Sequence, residues 1–202
     1  CYSTAANACS FGSQNYADGI DSCAIGRTNH ANATSSSAFG KENHVGYGSY
    51  TAEKSSGFGY NNRVGQTANA DKSSAFGYSN TASAVNTSVF GYKSTASAIN
   101  AVSLGRSCFA AAVSATVVGV LNNQTGGTLN DTTGVITGTP AVGTVGINST
   151  SVGAGNSASS TMSVAVGFKN TAYGIESVAV GVKNIASHAS GYVSALGINN
   201  NA

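Results

Sequence analysis

The stretch 73–105 reads SSAFGYSNTASAVNTSVFGYKSTASAINAVSLG and carries one phrase three times, a bulky apolar residue followed by glycine, at Gly77, Gly91 and Gly105. Outward from it the phrase recurs at Gly12, Gly26, Gly40, Gly59, Gly119, Gly153, Gly167, Gly181 and Gly197, most often fourteen residues apart. A short fixed period defines a solenoid, in which one coil cannot bury its apolar face alone. Fourteen residues suffice for two short strands and two tight turns, and are too few for a strand–helix unit. The expected fold is therefore all-β: a parallel β-roll of about twelve coils forming one domain over 1–202.

Aligned on the anchor glycine, the columns are sharp. The residue before it is always apolar, as in Phe11, Phe76, Phe90, Val166 and Leu196. Two before it the residues are mostly small, such as Ala24, Ala75 and Ala179. Three after it, ten of twelve positions are Asn, the exceptions being Ser94 and Cys108. Five after it, nine are Ala. Alternate strand residues share a face, so the bulky column is expected to point inward, with Phe76 and Phe90 as stacked core. The Asn column suits a left-handed corner. The Ala column, including Ala82, Ala96 and Ala172, forms a second weakly polar face, expected at a contact between chains.

Three segments exceed the period. Segments 41–54 and 60–72 should bulge after their Asn, and segment 120–148, with Gly-Gly and the sole proline, reads as an extended loop or small hairpin. Insertions of this kind often carry binding.

Composition narrows the function. Only 8% of the 202 residues are charged and the net charge is +2, too weak a balance to imply nucleic acid. No apolar run approaches the ~20 residues of a membrane helix. The acids are scattered, and no Ser–His–acid grouping arises from the repeat, so no enzyme and no cofactor are expected. The run Gly153-Ala154-Gly155-Asn156 imitates a nucleotide-binding loop, but no helix follows it. His30 and His44 fall four after successive anchors and read as solvated turn residues; no metal site is expected. Cys9 and Cys23 share a column in adjacent coils, close enough for a disulfide or for two thiols, whereas Cys108 should lie at the surface.

The candidate binding surface is a corner just after the anchors. Tyr60, Tyr78 and Tyr92 occupy it in three successive coils, and Arg27, Lys41, Lys93, Arg106, Lys169 and Lys183 fall one or two places after an anchor. Aromatic rings beside cations suit sugar rings or anionic glycans; the plainer reading is a ladder that only stabilises the strands.

The phrases SVAVGFKNTAYGIESVAVGVKNIA (163–186) and 73–105 resemble the YadA-like head repeat of trimeric autotransporter adhesins, and similar repeats occur in phage tail fibres. The resemblance covers nearly all of the chain outside 120–148. It implies a left-handed roll, a homotrimer, an extracellular place on an outer-membrane or virion fibre, and binding to host cell-surface glycans or matrix proteins. The Asn column and the four cysteines depart from the family pattern. A structural shaft is the alternative function. An ice-binding face is a minor one, since the column four after the anchor is no regular Thr ladder. The repeat is already in register at Cys1–Ala8 and stops in mid-coil at Ala202, so further coils, or end-to-end stacking of subunits, are expected beyond both ends.

Overall fold

The computed structural model describes residues 1–46, 51–130, 132–133, 135–188 and 191–202. It contains strands and turns and is a parallel β-solenoid with the fourteen-residue spacing, in two compact units, 1–100 and 101–202.

Each coil of the first unit contributes a long and a short strand. The long strands Cys9–Ser13, Cys23–Arg27, Ser37–Lys41, Ser56–Tyr60, Ser74–Tyr78 and Ser88–Tyr92 pair in parallel, anchor glycine against anchor glycine. The short strands Tyr2–Ser3, Tyr16–Ala17, His30–Ala31, His44–Val45, Arg63–Val64, Thr81–Ala82 and Thr95–Ala96 form the second sheet. In the second unit the long strands are Val102–Arg106, Thr116–Val120, Thr150–Ala154, Val164–Phe168, Val178–Val182 and Ser194–Ile198. Its first short strand is Phe109–Ala110, and the later ones, Ser157–Ala158, Thr171–Ala172 and Ile185–Ala186, pair with one another.

The facing of the long strands is the reverse of the sequence expectation. Ala24, Ala38, Ala75, Val89, Val117, Ala165 and Ala179, two before their anchors, have no exposed surface. The bulky residue that follows points out: Phe90 is 42% exposed and Phe11 72%. Phe39, Phe58, Phe76 and Phe90 do stack, with ring centroids 4.7–4.8 Å apart, but on the outer face of the sheet. Ala82, Ala96 and Ala172 are likewise fully buried within their own chain, so they are core and cannot be a contact between chains. The reason is steric. The two sheets of a fourteen-residue coil lie too close for a ring between them, so alanine fills the interior and rings are left outside.

The Asn column also has a different role. The left-handed residue is the one before it: Thr28, Glu42, Ser79, Lys93, Lys169 and Lys183 have φ of 53–59°. That turn aims each asparagine side chain inward, where Asn15, Asn29, Asn43, Asn62, Asn80, Asn170 and Asn184 are fully buried. In one coil, Asn29 Nδ2 donates to the Ile25 carbonyl at 2.9 Å and to the Gly40 carbonyl at 2.7 Å. Its Oδ1 accepts from the backbone N–H of Asn43 at 3.0 Å and from Asn43 Nδ2 at 3.0 Å. The pattern repeats through Asn43, Asn62, Asn156, Asn170 and Asn184. Buried amides are thus satisfied from coil to coil.

Cysteine can stand in this column. Cys108, expected at the surface, is fully buried, and its Sγ donates to the Gly119 carbonyl at 3.2 Å. Burial pushes its thiol up to about 11. Cys1 makes the equivalent bond to the Gly12 carbonyl at 3.0 Å.

The Asn43–Asn62–Asn80 ladder runs unbroken past both 41–54 and 60–72. The bulge expected in 41–54 falls on residues 47–50, which lie outside the described ones. Within 120–148, Gln124–Leu129 pairs antiparallel with Ile136–Val142 as a hairpin that takes the place of a short strand.

Candidate functional site

The aromatic–cationic corner is a single column in the first unit. Arg27, Lys41, Tyr60, Tyr78 and Tyr92 are successive register partners, one after their anchors. The rings of Tyr60, Tyr78 and Tyr92 stack at 5.1 and 4.9 Å. Lys41 Nζ lies 5.0 Å from the Tyr60 centroid, and Lys93 Nζ 5.3 Å from that of Tyr92. Glu42, absent from the sequence-level site, joins this group. It pairs with Lys41 at 3.3 Å and accepts a hydrogen bond from Tyr60, which holds the carboxyl below its ordinary range and the phenol above it.

The remaining sequence-level candidates, Arg106, Lys169 and Lys183, belong to the second unit, where the column after the anchor runs Arg106, Val120, Ala154, Phe168 and Val182. Lys169 Nζ lies 5.5 Å from the Phe168 ring. No tyrosine ladder accompanies these cations, so the corner is a property of the first unit.

A second aromatic column lies on the outer face of the short strands. Tyr2, Tyr16, His30 and His44 stack with centroids 5.0, 4.7 and 4.5 Å apart. The histidines are therefore half-buried strand residues and not solvated turn residues. The signal for this ladder was present in the column four after the anchor, where Tyr16, His30 and His44 follow one another.

His44 is held well below the ordinary imidazole value of 6.5, at about 4, first by burial, then by the nearby His30 and Arg63, with Glu42 opposing. His30 is lowered as well, by burial, with Asp18 opposing. His44 Nδ1 is buried without a hydrogen-bond partner, so an added proton would have nothing to bond. Below the unfolded value the unfolded chain binds the proton and the folded chain does not. Stability is therefore expected to be level above pH 6.5 and to fall between pH 6.5 and about 4. His44→Gln should flatten urea-unfolding midpoints across that window; an unchanged slope would mean that the stack tolerates charge.

Among the described residues, no group of three or more His, Cys, Asp or Glu is placed to hold a metal ion, and no helix is long and apolar enough to cross a membrane.

The small residue, bulky residue and glycine, with alanine five places on, recur from coil to coil as in a repeat family, and the asparagine column is this chain's own departure from it. The profile of the YadA head domain repeat matches residues 17–43, 68–91, 82–107, 145–170 and 158–184. The chain belongs to the YadA head repeat family. A search of curated proteins finds no significant match. The YadA head repeat matches lie on both sides of the hairpin and in both units; Arg27, Lys41, Tyr78 and Tyr92 of the corner fall within them and Tyr60 between two of them.

Proposed function

We propose that this chain is an adhesive segment of a trimeric surface fibre, displayed outside the cell or on a virion, which captures anionic glycans of a host surface without catalysis. The family match carries the adhesin reading. The outer face of the long strands supports the trimer. In the first unit it presents the Phe39–Phe58–Phe76–Phe90 ladder, and in the second Leu104, Val118, Val152, Val166, Val180 and Leu196, with Leu196 62% exposed. An apolar ladder left to water in one chain is a surface suited to burial against copies of itself.

Glycan capture belongs to the corner at the rim of that face. Tyr78 and Tyr92 are about two-fifths exposed, enough for a sugar ring to rest on them, and Arg27, Lys41 and Lys93 supply charge for a sulfate or carboxylate. The hairpin of 120–148 is a second candidate contact, because the asparagine ladder passes directly from Asn122 to Asn156 without it.

Light scattering and capture on immobilised sulfated and sialylated glycans test both parts. Wild type should weigh three chains and bind. Phe76→Glu with Phe90→Glu should give soluble monomer with a near-native circular-dichroism spectrum, because neither side chain is core. Tyr60→Ser, Tyr78→Ser and Tyr92→Ser together should leave the trimer intact and reduce capture at least tenfold. A wild-type monomer at micromolar concentration would refute the trimer. Undiminished attachment after both the tyrosine changes and deletion of 124–143, which returns Gly119 and Gly153 to the fourteen-residue spacing, would refute both contacts, and no attachment by wild type would favour the shaft.

A further inference from the structure

We propose that Cys9 and Cys23 are a disulfide-forming pair that staples the first two long strands together when the chain meets a disulfide-bearing oxidant. The two residues are direct register partners in the parallel strands Cys9–Ser13 and Cys23–Arg27. Directly opposed residues of neighbouring strands have Cα atoms about 4.8 Å apart, inside the disulfide range. Sharing a column, they leave the sheet on the same face, beside the Phe11–Ile25 pair. The Cys9 side chain is within hydrogen-bonding reach of Cys23, whose thiol is pushed up first by burial and then by Cys9.

The other cysteines cannot compete. Cys1 sits in the Asn column, bonded to the Gly12 carbonyl. Cys108 belongs to the second unit and is buried. The next residue in the column of Cys9 and Cys23 is Ser37.

Exposure sets the order of events. Cys9 is exposed and Cys23 only partly so. The Cys9 thiolate attacks a sulfur of the oxidant; the oxidant's S–S bond breaks and its first thiol leaves. The Cys23 thiolate then attacks the Cys9 sulfur of the mixed disulfide, and the second thiol leaves. The protein gives up two protons and two electrons, and the oxidant disulfide becomes two thiols. The staple closes a loop of one coil, so it resists peeling of one coil from the next, which is how repeat arrays open locally.

The test uses the full chain, reduced and then exposed to oxidised glutathione. Free thiols are alkylated, and the unfolded chain is cleaved without reduction at Asp18 and Asp21, which separate the two cysteines. The expected product has Cys9 linked to Cys23 and both Cys1 and Cys108 alkylated. Oxidation should also slow hydrogen exchange of the Thr28 amide, which bonds the Ser13 carbonyl across the same strands, by about tenfold or more. Cys9→Ser should leave Cys23 alkylated and abolish that slowing. Alkylation of both Cys9 and Cys23 in the oxidised chain, or a link from Cys9 to Cys1 or to a second chain, would overturn the proposal.

Discussion

Gly167→Ala is expected to unfold the coils around it, at a cost on the order of 4 kcal/mol or more. Gly167 has φ of +119°, where an L side chain is strained, and an added Cβ would lie 2.1 Å from the Gly181 carbonyl oxygen. That oxygen has little freedom to retreat, because Asn170 Nδ2 holds it at 2.8 Å. Gly155→Ala is the control. Gly155 has φ of +65°, and its nearest obstacle is the flexible Lys169 side chain, with Cγ at 3.2 Å. Its counterpart one coil on is Lys169 itself, at φ 54°, so alanine there should cost only about 1–2 kcal/mol. Urea midpoints followed by circular dichroism compare the two; equal losses would show that backbone angle, and not the carbonyl of the next coil, sets the glycine column.

Asn170→Leu should be nearly as damaging. Leucine matches the shape of asparagine but leaves the Val166 and Gly181 carbonyls and the Asn184 N–H without their partner. Each buried group left unpaired costs about 1–3 kcal/mol, so the total is on the order of 4 kcal/mol. Asn170→Asp should be worse, because a carboxylate would face two carbonyl oxygens. Asn170→Cys should be mildest, since Cys108 already reaches the glycine carbonyl of the following coil from this column. Leucine as well tolerated as cysteine would mean that the ladder contributes packing alone.

These outcomes separate what could be read from the chain and what could not. The period, the glycine column and the shared column of Cys9 and Cys23 follow from spacing, and the fold has them. Turn residues left 120–148 open between an extended loop and a small hairpin, and the structure has Gln124–Leu129 paired with Ile136–Val142. The facing of the long strands did not follow. A rule that places large apolar residues inside puts Phe76 in the core and Ala75 out, and a one-residue change of phase inverts every side chain of a strand. The width of the coil decides, and width is legible only from the small residues at Ala24, Ala75 and Ala165 and from the polar column at Asn29 and Asn170, taken together as the only side chains that fit.

The corner residues were legible as a column, because Tyr60, Tyr78 and Tyr92 repeat with the anchors. Glu42 was not, because it occupies the left-handed position, where the sequence varies freely among Thr28, Ser79, Lys93 and Lys169. Its partnership with Lys41 and Tyr60 depends on stacking one coil on the next.

The asparagine ladder has one more consequence. Each amide takes its bonds from its own coil and from the next one, and every fourteen-residue coil with asparagine in this column offers its neighbour the same set of groups. A coil is therefore interchangeable with any other as far as the ladder is concerned. Removing one whole period, such as residues 78–91, would rejoin Gly77 to Tyr92 with every column still in phase. Losing thirteen residues or fifteen would turn the glycine, alanine and asparagine columns out of phase at once. A gene encoding such a chain can lengthen or shorten its product by whole coils without redesigning what holds it together.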